Sequence, residues 1–105
     1  MSEGAWTAVA TLDDFAASDA IFVVAAGKEI AIFLVDGTVF ATANRCTHGD
    51  ARLCDGWVEG HEIECPLHQG RFDVRNGKAL CAPLDEDLKT YPVKIEGGRV
   101  YLALG

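Results

Sequence analysis

Two short stretches of this chain set a thiol beside an imidazole. In NRCTHGD (residues 44–50) Cys46 and His48 are two positions apart, and in ECPLHQGRFD (residues 64–73) Cys65 and His68 are three apart with Pro66 between them. Both residue types serve as nucleophile and base or as metal ligands, so a single C-x-x-H does not discriminate. The full pattern is C-x-H, sixteen residues, then C-x-x-H. A nucleophilic role for Cys65 would leave Cys46, His48 and the matched spacing without a purpose.

The pairing is mixed, one sulfur and one nitrogen per stretch. A zinc finger normally takes two cysteines from one loop and two histidines from a second segment, usually a helix. Mixed pairs suit a dinuclear site: with two irons bridged by sulfides, each loop can give sulfur to one metal and nitrogen to the other. A zinc-binding structural module with the same donors remains the competing reading at this point.

The elements that must hold these stretches read as β-strands. IFVVAA (21–26), IAIFLV (30–35), TVFATA (38–43), FDVR (72–75), YPVKI (91–95) and RVYLAL (99–104) are short, β-branched runs. Asp36-Gly37, Asn76-Gly77 and Gly97-Gly98 are turn pairs that tolerate positive φ. TLDDFAAS (11–18) predicts one short helical turn with Thr11 as N-cap. The expected fold is all-β, an antiparallel sandwich or barrel, as a single domain over residues 1–105. Its site is built from loops within 44–70, where all three histidines lie.

Composition narrows the function. The 105 residues are enough for one modest core. Sixteen acidic against nine basic residues give a net charge of -7, which repels phosphate backbones and anionic lipid. No nucleic acid and no membrane partner is expected, and the acidity is either plain solubility or a docking face for a basic protein. The apolar run AIFVVAA (20–26) is too short to span a bilayer, and no basic region leads into a hydrophobic stretch at the N-terminus. The expected location is the cytoplasm, where four cysteines point to metal or redox chemistry rather than to disulfides. Cys54 and Cys81 then read as free, partly buried thiols, His61 as an exposed turn residue, and Trp57 and Phe72 as core or loop packing.

With these residues on the page, the chain resembles the Rieske family, in particular the Rieske-type ferredoxins that serve bacterial aromatic-ring dioxygenases such as those acting on naphthalene and biphenyl. The resemblance extends to GKALCAPL (77–84) and KTYPVKIE (89–96). It implies a Rieske-like β-sandwich with a two-loop cluster-binding subdomain. It also implies one [2Fe-2S] cluster, with Cys46 and Cys65 on the inner iron and His48 and His68 on the outer one. The segment Ala82-Pro83-Leu84 would be a third loop over the cluster. The implied function is one-electron transfer, from a ferredoxin reductase to a terminal oxygenase, by a monomeric carrier. It would not itself be an enzyme, because only His61 remains for a mononuclear iron and no G-x-G-x-x-G is present for a dinucleotide. A subunit held permanently in a larger reductase or oxygenase is the nearest alternative.

The departures from the wider family also matter. Respiratory and photosynthetic Rieske proteins carry a disulfide between the loops where this chain has Ala51 and Leu67, and hydroxyl groups where it has Gly70 and Phe72. Fewer donors to the sulfurs stabilise the reduced cluster less. Protein-film voltammetry should give a potential near the low end of the roughly -150 to +300 mV range of Rieske centres; a value well above the middle of that range would contradict this.

Overall fold

The computed structural model describes residues 6–47, 51–66, 70–80 and 86–104. They form ten strands: β1 (Trp6–Thr11), β2 (Ala20–Ala25), β3 (Lys28–Val35), β4 (Thr38–Ala43), β5 (Trp57–Glu59), β6 (Glu62–Glu64), β7 (Arg71–Asp73), β8 (Thr90–Tyr91), β9 (Val93–Glu96) and β10 (Arg99–Ala103). Three antiparallel sheets result, ordered β1-β10-β9, β2-β3-β4-β8 and β5-β6-β7. The expected all-β fold is borne out.

β3 explains how the sheets stack. Ile30, Ala31, Ile32 and Phe33 are all fully buried, a continuous run that requires cover on both faces. Ile30 and Ile32 join Phe15, Val39, Ala41, Val100 and Leu102 in one core, toward the β1-β10-β9 sheet. Ala31, Phe33 and Val35 face the opposite way, into a second core with Leu53, Ile63, Phe72 and both Cys46 and Cys65. The period-two alternation along a single strand therefore assigns half its side chains to the scaffold and half to the two cysteine-bearing segments.

Strand boundaries differ from the sequence expectation where backbone chemistry intervenes. The run 21–26 stops at Ala25, because Ala26 and Gly27 form the hairpin turn with φ of 52° and 73°. The run 91–95 is split at Pro92, which has no N–H to give to a ladder: Tyr91 pairs with Ala41, whereas Val93 pairs with Leu102 in another sheet. The expected helical turn is a four-residue 3-10 turn at Leu12–Phe15, with Thr11 N–H donating to Asp14 Oδ2 at 2.9 Å. β1, β5 and β6 lay outside the sequence expectation. WVE and EIE are too short and too acidic to read as strands alone, so the span 44–70 is less purely loop than expected.

The run 72–75 ends at Asp73 because its own side chain turns the chain. Asp73 Oδ1 accepts from the Arg75 backbone N–H at 2.9 Å and from Arg75 Nε at 3.0 Å, and Oδ2 accepts from the guanidinium at 2.8 Å. Gly77 completes the turn, its N–H donating to Asp73 carbonyl oxygen and its own carbonyl accepting from Leu88 N–H. With φ at 78° and the Leu88 carbonyl where a Cβ would stand, this position excludes a side chain.

Two outcomes follow for stability. Gly77→Ala should cost about 2–3 kcal/mol in denaturant unfolding, through positive φ and the clash with Leu88; an unchanged midpoint would refute the assignment. The Arg75 guanidinium holds the Asp73 carboxyl below its ordinary value. A lowered folded-state value means stability that is full above the ordinary carboxylate range and lost as pH falls through the folded value. Asp73→Asn should therefore cost about 1–3 kcal/mol near neutrality, with the gap to the parent protein narrowing in acid; a gap that is constant with pH would argue against the ion pair.

Candidate metal centre

The two cysteine-bearing loops are built to one plan. Around the first, Arg45 and Arg52 form an antiparallel bridge and the Cys46 N–H donates to the Ala51 carbonyl at 2.9 Å. Around the second, Glu64 pairs with Arg71 and the Cys65 N–H donates to the Gly70 carbonyl at 2.7 Å. In each case the residue before the cysteine pairs with the one six places after it, and the cysteine amide closes onto the residue five places on. The described ends of the two loops thus close in the same way although their C-x-H and C-x-x-H spacings differ.

Both cysteines lie at the inner ends of these loops, Cys46 at 2% exposure and Cys65 at 0%. They share one apolar layer with Leu53, Ile63 and Phe72, which keeps water away from the sulfurs. His48 and His68, the other two expected ligands, fall outside the described residues, as do Gly49, Leu67, Cys81 and the segment Ala82-Pro83-Leu84. The described part of the site fits an iron–sulfur group: two buried cysteines in one apolar layer, each with its amide closed onto the residue five places on.

Three contacts that hold the loops were not legible in the sequence. Asn44 is fully buried and ties both ends of the first loop together. Its carbonyl accepts from Leu53 N–H at 2.6 Å, and its Oδ1 accepts from Cys54 N–H at 2.9 Å. Among the described residues its Nδ2 has no hydrogen-bond partner, an unsatisfied buried donor. Thr47 Oγ1 donates to the Glu86 carbonyl at 2.8 Å, which ties the chain beyond the 81–85 segment to the first loop. Gly56 is wedged between the Leu53 and Glu64 carbonyls, so that a Cβ there would collide with Glu64. These are long-range packing facts that no local pattern declares.

Several secondary expectations are settled as well. Phe72 is fully buried, as expected, but Trp57 is 59% exposed and packs into no core: it sits on the outward side of β5, opposite Val58. His61 lies in the β5–β6 turn but is half-buried rather than exposed. Its ring meets Phe40 edge-on at 6.0 Å, and its carbonyl accepts from Val74 N–H. Cys54 is a free, partly buried thiol with Sγ 3.9 Å from Asp55 Oδ1. Among the described residues no helix is long and apolar enough to cross a membrane.

On the outer side of the small sheet, Arg71 is shared by three carboxylates: Glu59 at 2.8 Å, Glu62 at 3.2 Å and Glu64 at 2.8 Å. Hydrogen bonds to Glu59 and then Glu62 raise the pKa of the guanidinium. The group therefore carries a net charge of -2 immediately before Cys65.

The comparisons with known proteins agree with this geometry. A family model described as the Rieske [2Fe-2S] domain matches residues 5–92. The ferredoxin component of the naphthalene 1,2-dioxygenase/salicylate 5-hydroxylase systems of Ralstonia sp is 60% identical over 99 residues, 94% of this chain and 95% of that protein. Among solved structures, the Sphingomonas yanoikuyae B1 ferredoxin superposes with a TM-score of 0.87 at 38% identity, covering 93% of this chain and 97% of that one. A ferredoxin chain solved in complex with the oxygenase of carbazole 1,9a-dioxygenase gives 0.86 at 33% identity, covering 93% and 92%. The matched residues span both loops and the sheets that carry them, so the chain belongs to the Rieske [2Fe-2S] domain family and its cofactor is one Rieske-type [2Fe-2S] cluster.

Proposed function

We propose that this chain is the one-electron carrier of an aromatic-ring dioxygenase system, a single-domain cytoplasmic protein that takes electrons from a ferredoxin reductase and gives them to a terminal oxygenase. Its cluster is held by Cys46, His48, Cys65 and His68. The observation that carries this reading is the equivalence of the two loops, each closing on a buried cysteine in the same apolar layer. The similarity to dioxygenase ferredoxin components over 94% of the chain supports the partners.

The bound cluster supplies reversible one-electron chemistry, at a potential raised by neutral imidazole in place of thiolate. The residues of the chain do the rest. Cys46 and Cys65 present sulfur from the dry side, Leu53, Ile63 and Phe72 exclude water from it, and Asn44 and Thr47 keep the first loop closed. A carrier must release quickly, and small, partly electrostatic contacts serve that need. Oxygenase chemistry in this chain itself is disfavoured, because His61, the one histidine left over, is packed against Phe40.

The dithionite-reduced protein should be EPR-active with the signature of a histidine-ligated [2Fe-2S] centre, and iron and acid-labile sulfide should be equimolar. Cys46→Ser, Cys65→Ser, His48→Ala and His68→Ala should each abolish that signal while leaving a β-rich circular dichroism spectrum. A colourless protein holding zinc would overturn the proposal, and elution only within a larger complex would favour a permanently bound subunit over a free carrier.

A further inference from the structure

The outward face of the β5-β6-β7 sheet consists of Trp57, Glu59, Glu62, Glu64, Arg71 and Asp73, because Val58, Ile63 and Phe72 point into the core. The register places Trp57 opposite Glu64 and Glu64 opposite Arg71 in one cross-strand row. Leu80 extends the row, its N–H donating to the Arg71 carbonyl at 2.8 Å and its side chain 43% exposed. Since Glu64 precedes Cys65 and Arg71 follows Gly70, the row lies directly at the base of the second cluster loop.

Trp57 differs from the other exposed aromatic residues. Lys94 stands 5.0 Å from the Trp6 ring and Arg52 stands 4.7 Å from that of Phe22. Among the described residues no cation and no ring stacks on Trp57, although it is the more exposed at 59%. Around it, three carboxylates share a single arginine, which leaves excess negative charge on the more exposed Glu59 and Glu62. A bare indole beside unneutralised carboxylates is a receptor for a cationic side chain, which gains both ring and ion-pair contact.

We infer that this face is the docking surface for the terminal oxygenase, with Trp57 as its apolar anchor and the more exposed Glu59 and Glu62 as the partners of arginine or lysine side chains on the oxygenase. The inference rests on the carrier reading above. It names the oxygenase rather than the reductase because the related ferredoxin of TM-score 0.86 was solved in complex with an oxygenase. The row also runs directly into Cys65 through Glu64, so a partner docked there lies against the strands that carry one of the two buried cysteines. A single tryptophan in a charged surround matches the anatomy of small interfaces, in which one aromatic anchor carries much of the affinity.

The test is stopped-flow reduction of the oxygenase by the pre-reduced, cluster-loaded protein. Trp57→Ala should lower the second-order rate constant by about tenfold, and Trp57→Phe should restore most of it. Glu59→Gln, exposed and outside the core, should weaken the dependence of that rate on ionic strength. The visible and EPR spectra and the midpoint potential should be unchanged from the parent for all three variants, and the rate of reduction by the reductase should stay within about twofold. A parent protein that reduces the oxygenase while Trp57→Ala does so equally well would overturn the docking surface alone. A loss seen only with the reductase would assign the face to the other partner. A Trp57→Ala variant that turns a dimer into a monomer would show the face covered by a second copy. Failure of the parent protein itself to reduce the oxygenase would instead remove the carrier reading beneath it.

Discussion

The burial of β3 on both faces is the constraint on which the rest of the molecule depends. Ile30 and Ile32 lock the strand to the sheet of β1, β10 and β9, and Phe33 with Ala31 and Val35 locks it to the cysteine-bearing layer. Fully burying one large apolar side chain is worth about 1.5–3 kcal/mol. Four successive residues at zero exposure therefore anchor two layers at once, with no Gly or Pro to loosen the join. A cluster site attached to such a strand changes shape little, which suits a centre that must gain and lose an electron without rearrangement.

Equivalent loops with unequal spacing follow from that support. The backbone closures are identical for Cys46 and Cys65, but the histidine stands two places after the first cysteine and three after the second. The added residue comes with Pro66, whose fixed φ limits the freedom that a longer cysteine-to-histidine path would otherwise introduce. The two loops are also joined to each other. Gly56, just after the first loop, meets the carbonyl of Glu64, just before the second, and lacks the Cβ that would hold them apart. Thr47 ties the first loop to Glu86, so that the three segments around the cluster are mutually braced.

Charge is distributed unevenly around this centre. Arg45 and Arg52 face each other at the base of the first loop, with Arg52 over Phe22, whereas the base of the second carries Glu59, Glu62 and Glu64 around Arg71. A chain of net charge -7 thus concentrates part of its acidity on one side of the site. Such asymmetry orients an approaching partner at long range more than it adds to final affinity.

Ligand types, spacing and strand periodicity were determined locally, so the sequence alone gave the all-β class, six of the strand regions, the turn pairs and the family, with Cys46, His48, Cys65 and His68 as the donors it implies. Each of these depends on side-chain chemistry or on alternation within a few residues, and the burial of Cys46, Cys65 and Phe72 agrees with them. What only the tertiary structure decided depends on residues far apart in the chain. Trp57 was expected to serve core or loop packing and stands on the outward side of β5, because a three-residue strand has no pattern long enough to declare its inner face until Val58 meets the core. His61 was expected outside and is half covered, because Phe40 arrives from a different sheet. The clamp at Asn44 and the sharing of Arg71 by three glutamates arise from register between strands, which local sequence does not encode because it is chosen by the packing of whole layers.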